Sequence, residues 1–179
     1  PLYSSAASDV YKRQNKLIVG SEKIETNNNL VDTFTANLDF ELTKAQKRTI
    51  NEILKDMNKK SAMKRLLQGD VGSGKTIVAA CAVFSVINAG FKAALMAPTE
   101  VLAEQHYNSL NPILKKYNIK TYLLTSSVKD RSEILKQMSS SDPVFFIGTH
   151  ALIQENVHFN NLGLAIIDEQ QRFGVDQRK

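Results

Sequence analysis

Along this chain the spacing of apolar residues changes character near Phe40. Before it, residues 1–14 (PLYSSAASDVYKRQ) are small, polar and aperiodic, and read as a disordered tail or as sequence foreign to the domain. Residues 15–39 are mixed, and their Asn27-Asn28-Asn29 run reads as linker or as the end of a preceding domain. From Phe40 to Lys179 the pattern becomes that of one α/β domain, expected to continue past Lys179. Ile50, Ile53, Leu54 and Met57 recur at helical spacing, which predicts a helix from Lys44 to about Asn58 with Thr43 as its N-cap. Arg65–Gln68 reads as a short strand ending at Gly69, and Lys75–Asn88 as a buried helix closed by Gly90. Ala93–Ala97 is an apolar strand stopped by Pro98, and Glu100–Leu114 is the next helix. Lys120–Leu124 is a strand, and Ser127 to Asp130 resembles a capping box opening a helix to about Met138. Val144–Gly148 and Leu164–Asp168 complete the set as two short apolar strands.

Strands that alternate with helices and read as continuous apolar runs imply a parallel sheet covered on both faces. In such sheets ligands gather at the carboxyl ends of the strands, and the polar motifs of this chain fall at those ends. A length of 179 residues suits one well-cored domain. The apolar share of 42% and charged share of 23% support a folded core. A net charge of +5 fits a polyanionic partner and equally a solvated basic surface. Cys81 is the only cysteine, which excludes an intramolecular disulfide and points to a reducing, cytoplasmic compartment. Within the run 77–87 it reads as a small buried hydrophobe. That run is well short of the roughly 20 residues that cross a bilayer, and no signal peptide opens the chain, so no membrane association is expected.

The strongest chemical signal is Gly69-Asp70-Val71-Gly72-Ser73-Gly74-Lys75-Thr76, a full GxxxxGK[ST] match. A loop that wraps a polyphosphate with backbone N–H groups needs dihedrals that glycine tolerates. The helix starting at Lys75 aims its N-terminal dipole at the phosphates. Lys75 is expected to reach the β and γ oxygens of ATP, and the Thr76 hydroxyl to ligate Mg²⁺. A second signal is Leu164-Ala-Ile-Ile-Asp168-Glu169, an apolar strand ending in two carboxylates. Opposite a P-loop, Asp168 is expected to hold Mg²⁺, and Glu169 to orient and deprotonate the attacking water. A third, Phe40-Glu-Leu-Thr43-Lys-Ala-Gln46, carries an amide able to read the adenine edge. His106 and His158 have no evident role, and no His/Cys/Asp spacing resembles a zinc site.

Taken in order, these strings resemble the superfamily 2 helicases: Phe40-x-Leu-Thr-x-x-Gln46, the P-loop, Ala97-Pro-Thr-Glu-Val-Leu-Ala-Glu-Gln-His106, Gly148-Thr-His-Ala-Leu-Ile-Gln154 and Asp168-Glu-Gln-Gln171-Arg-Phe-Gly-Val175. More narrowly, MKRLLQGDVGSGKT, APTEVLAEQH, GTHALIQ and DEQQRFGV are similar to the first motor domain of the RecG family, translocases that remodel branched DNA. The resemblance implies a RecA-like P-loop domain with a parallel sheet and helices on both faces. It places Phe40, Thr43 and Gln46 with the P-loop around ATP. It implies DNA-backbone contacts by Pro98, Thr99, Thr149 and His150, and coupling of the two sites by Gln171 and Arg172. It also implies a second RecA-like lobe carrying arginine fingers and an N-terminal wedge domain as partners. Gln171 stands where RecG-like chains usually carry His, and Ser126 where they usually carry Gly. The transcription-repair coupling factor, Mfd, can show a similar Gln, so an Mfd-like translocase is the alternative. A small-molecule kinase would leave the Pro98-Thr99 and Thr149-His150 motifs without purpose. A module that binds ATP without hydrolysing it would not need the Asp168-Glu169 pair.

Overall fold

The computed structural model of the chain describes residues 23–67, 74–154 and 157–168. Its centre is a four-stranded sheet of β1 (Lys92–Met96), β2 (Thr121–Leu124), β3 (Phe145–Gly148) and β4 (Leu162–Ile167). The strand order is β2-β3-β1-β4, and every neighbouring pair is parallel. Around it lie α1 (Asn28–Ala36), α2 (Lys44–Met57), α3 (Lys75–Asn88), α4 (Glu100–Lys115), α5 (Ser132–Ser139) and a 3₁₀ turn (His150–Ile153).

Side chains of successive strand residues point to opposite faces, and both faces are covered. Phe145 and Ile147 of β3, with Ala93 and Leu95 of β1, join one core shared with α1 to α4. Phe146 of β3 and Met96 of β1 join a second core with Ile134 and Met138 of α5 and with Ala151 and Leu152 of the 3₁₀ turn. This is the architecture that the continuous apolar strands implied.

Three local readings are corrected. Residues 65–67 form no strand, and Gln68 lies outside the described residues. Leu66 is 74% exposed, Leu67 packs against the first core, and Arg65 is drawn to Glu52 and Asp56 of α2 at 2.7 and 2.6 Å. The helix after β2 begins at Ser132, later than the Ser127 box suggested. Asp130 sets its start by accepting from the Ser132 N–H at 3.0 Å and hydroxyl at 2.6 Å, while the Ser127 hydroxyl is bound to Glu100 at 2.5 Å. Finally, the segment that read as linker contains α1. Asn27 caps it by accepting from the N–H groups of Asn29 and Leu30. Phe34 then inserts fully into the core, 4.5 Å from the Phe84 ring and 5.0 Å from Tyr117.

Other expectations hold closely. The helix predicted over Lys75–Asn88 has those bounds, and it turns off at Gly90 with φ 89°. Cys81 is fully buried within it, and burial pushes its thiol up to about 12. Among the described residues no helix is long and apolar enough to cross a membrane.

Candidate nucleotide-binding site

The first turn of α3 is built for a ligand that brings its own acceptors. Gly74 is the N-cap at φ 76° and ψ 28°, a left-handed conformation that an L side chain rarely adopts. Gly74, the N-cap, brings no side chain to this turn. Its first residues are the half-buried Lys75 and the exposed Thr76. A helix N-terminus that starts with a lysine suits an anion.

Above this turn sits the start of α2, where Thr43 and Gln46 form a full capping box. The Thr43 hydroxyl accepts from the Gln46 N–H at 3.2 Å, and the Gln46 Oε1 accepts from the Thr43 N–H at 2.9 Å. Gln46 Nε2 in turn donates to the Gly74 carbonyl at 3.5 Å. The amide expected to face adenine therefore ties the α2 cap to the α3 turn. A Cβ added at Gly74 would lie 2.0 Å from that Nε2, the movable end of a flexible side chain, so it is the left-handed dihedral that demands glycine there. Phe40 is 52% exposed nearby in the chain, as an aromatic awaiting a planar partner would be.

Asp168 follows β4 directly, and its N–H donates to the Met96 carbonyl at 2.9 Å, which pins it beside the end of β1. Its Oδ2 lies 2.6 Å from Nε2 of His106, a half-buried residue of α4 that is 62 positions away in sequence. Sequence reasoning gave His106 no role, because only the fold brings these residues together. The Thr76 hydroxyl and the Asp168 carboxylate are hard oxygen donors of the kind Mg²⁺ takes, usually with waters and phosphate oxygens completing the shell. Among the described residues no cluster of three His, Cys, Asp or Glu side chains offers a closed protein cage instead.

The strand ends beyond this site are tied to one another. Thr99 caps α4, its hydroxyl accepting from the Leu102 N–H at 3.2 Å. Thr149 is buried, and its N–H donates to the Leu124 carbonyl at 3.3 Å, whereas His150 is exposed. Glu100 receives hydrogen bonds from the Ser126 and Ser127 hydroxyls and from the Ser127 N–H at 3.2 Å. Those donors hold its carboxyl below the usual carboxylate value, with Ser126 the larger cause. Because β3 lies between β1 and β2, this contact spans the end of β3. Arg131 adds bonds to the carbonyls of Val128, Thr125 and Ser126, and to Gln154 at 3.4 Å. Glycine at position 126 would lack the hydroxyl that serves Glu100.

Of the residues singled out in the sequence, the structure joins Thr43 and Gln46 to Gly74, and sets Pro98, Thr99, Thr149, His150 and Asp168 at strand ends. Gly69, Asp70, Val71, Gly72, Ser73, Glu169, Gln171 and Arg172 lie outside the described residues.

Comparison with known proteins decides the family. The model of the DEAD/DEAH box helicases matches residues 43–179. The chain belongs to that family. Within it the chain is 54% identical over 151 residues to the ATP-dependent DNA helicase RecG of a Synechocystis species, covering 83% of this chain and 18% of that protein. It is 52% identical over 148 residues to RecG of Bacillus subtilis, covering 82% and 22%. The structure of RecG bound to a three-way DNA junction superposes with a TM-score of 0.79 at 44% identity, covering 94% of this chain and 23% of that one. The UvsW helicase of bacteriophage T4 shares the fold, with a TM-score of 0.58 at 18% identity over 83% of this chain and 52% of that one. This chain thus spans about a fifth of the length of the curated helicases it matches.

Proposed function

We propose that the chain is the first RecA-like lobe of an ATP-dependent DNA helicase that remodels branched DNA, such as stalled forks and recombination intermediates. The observation that carries the reading is the Gly74-Lys75 junction: a left-handed glycine caps an otherwise buried helix whose first residue is a lysine. RecG-like sequence over most of the chain supports DNA as the second ligand, and favours this reading over the Mfd-like one.

In this scheme Lys75 pairs with the β and γ phosphates while residues 69–74 wrap them with N–H groups. Phe40, Thr43 and Gln46 border the adenine. Thr76 and Asp168 would hold Mg²⁺, which when bound would offset the negative charge of the phosphates. Glu169 takes the proton of the attacking water. Pro98, Thr99, Thr149 and His150 meet the DNA backbone. The Thr99 hydroxyl, which accepts from the Leu102 N–H, keeps its O–H to donate to a phosphate, whereas the Thr149 N–H is engaged within the fold and its contact uses the other polar atoms of that residue. Gln171 and Arg172 connect the two sites. The arginine-finger lobe and the wedge domain are assigned to other parts of the full-length protein, and the compartment is the cytoplasm.

ATP turnover by the full-length protein, measured without DNA, with linear duplex and with a fork, tests the proposal. The fork is expected to stimulate most. Turnover indifferent to DNA, and raised by a small phosphate acceptor, would overturn it in favour of a metabolite kinase.

A further inference from the structure

The His106–Asp168 contact joins two parts of the fold that the proposed function uses separately. His106 lies about two turns along α4 from Thr99. It shares a helix stripe with Ala103, Leu110 and Leu114, all fully buried. That packing fixes α4 against the sheet and leaves the imidazole few rotamers. On the other side, the backbone of Asp168 is pinned to Met96. Oδ2 of Asp168 meets Nε2 of His106 at 2.6 Å, with both side chains about one-quarter exposed. An ionised carboxylate only accepts, so the shared proton belongs to the imidazole Nε2.

We propose that His106 is a positioning residue: it helps set the rotamer in which Asp168 meets Mg²⁺, and it ties that carboxylate to the helix that Thr99 caps and Pro98 precedes. The inference rests on the nucleotide site proposed above. A carboxylate accepts through several lone pairs, so a hydrogen bond on Oδ2 leaves it able to face Mg²⁺ directly or through a water. Carboxylates that ligate metals are commonly held by a hydrogen-bond partner, and losing that partner costs roughly 10–100-fold in metal affinity. Because α4 is one continuous helix from Glu100 to Lys115, a displacement of its first turn carries His106 with it.

The test uses the full-length protein and a fluorescent ATP analogue, titrated in EDTA and then in Mg²⁺. The variants are His106→Leu, His106→Gln, His106→Asn and Lys75→Ala. Wild type binds more tightly with Mg²⁺. His106→Leu is expected to keep the EDTA affinity and lose about tenfold of the Mg²⁺ enhancement. His106→Gln, whose amide N–H reaches the place of Nε2, recovers most of it, and the shorter His106→Asn does not. The Gln and Asn pair decides the matter even where the Leu variant folds poorly. An enhancement unchanged in both Leu and Asn variants, or equal weakening in EDTA and Mg²⁺, would overturn the inference. Lys75→Ala separates this from failure of the underlying site, because wild-type affinity in that variant would remove the P-loop assignment itself.

Discussion

The body of α3 and its first turn are held by different forces. From Ile77 to Ile87 every residue except the half-buried Ala79 is buried, among them Cys81, Val83 and Val86 with no exposed surface at all. At Lys75 and Thr76 the same helix turns polar and opens outward, and the Gln46 amide donates to the Gly74 carbonyl just before them. Apolar burial of roughly 25 cal/mol per Å² anchors the body. The first turn is carried by that anchor. In the proposed reading stability and chemistry sit on separate residues of one helix, and substitutions are expected to move either without the other.

The largest effect is expected in the core. Phe34→Ala removes a fully buried ring stacked on Phe84, and should destabilise the fold by about 3–5 kcal/mol. Chemical denaturation measures it. Nucleotide affinity of the molecules that remain folded should stay at the wild-type value, and a parallel loss of affinity would erase the separation just drawn.

At the rim the expectation reverses. Glu169→Gln in the full-length protein should retain ATP binding and slow hydrolysis by roughly 10²-fold or more, since the amide is nearly isosteric but takes no proton. Its melting temperature should not change. Wild-type turnover would assign the base to another residue.

How far such a division was readable beforehand depended on how local the signal was. The bounds of α3 were legible because glycines bracket a long apolar run. The strands β1 and β3 were legible because each is a short apolar run stopped by a turn. By contrast α1 shows only Val31 and Phe34 as buried residues amid polar ones, so the sequence offered no convincing helical stripe. Leu66 and Leu67 looked like a strand, yet nothing local could reveal that Arg65 would be drawn onto α2. In the candidate site, the glycine–lysine turn was legible because its chemistry is contiguous. The His106–Asp168 pair was not, because 62 residues separate partners that only the sheet brings together. Gln46 was legible as an amide at a helix start, whereas its bond to the Gly74 carbonyl needed the fold.

Smaller effects sharpen the comparison. Asn27→Ala removes the cap of α1 and should cost about 1 kcal/mol with no change in ATP affinity. Chemical denaturation beside a nucleotide titration checks both halves.

The effect at Cys81 is pH-dependent. Burial raises its thiol from 9.0 to about 12 in the folded chain. A raised folded value means that its contribution is complete below about pH 9 and is lost as pH climbs toward 12. The melting-temperature difference between wild type and Cys81→Ala should therefore narrow from pH 8.5 to pH 11. A gap independent of pH would show that the thiol ionises as freely in the folded chain as in the unfolded one.

Calorimetric titration of ATP into wild type and Lys75→Ala, each in Mg²⁺ buffer, bears most directly on the central claim that the Gly74-Lys75 turn is a nucleotide site. The account predicts saturable heat for wild type, and none for Lys75→Ala although its melting temperature is unchanged. Equal affinity in the two proteins would contradict it.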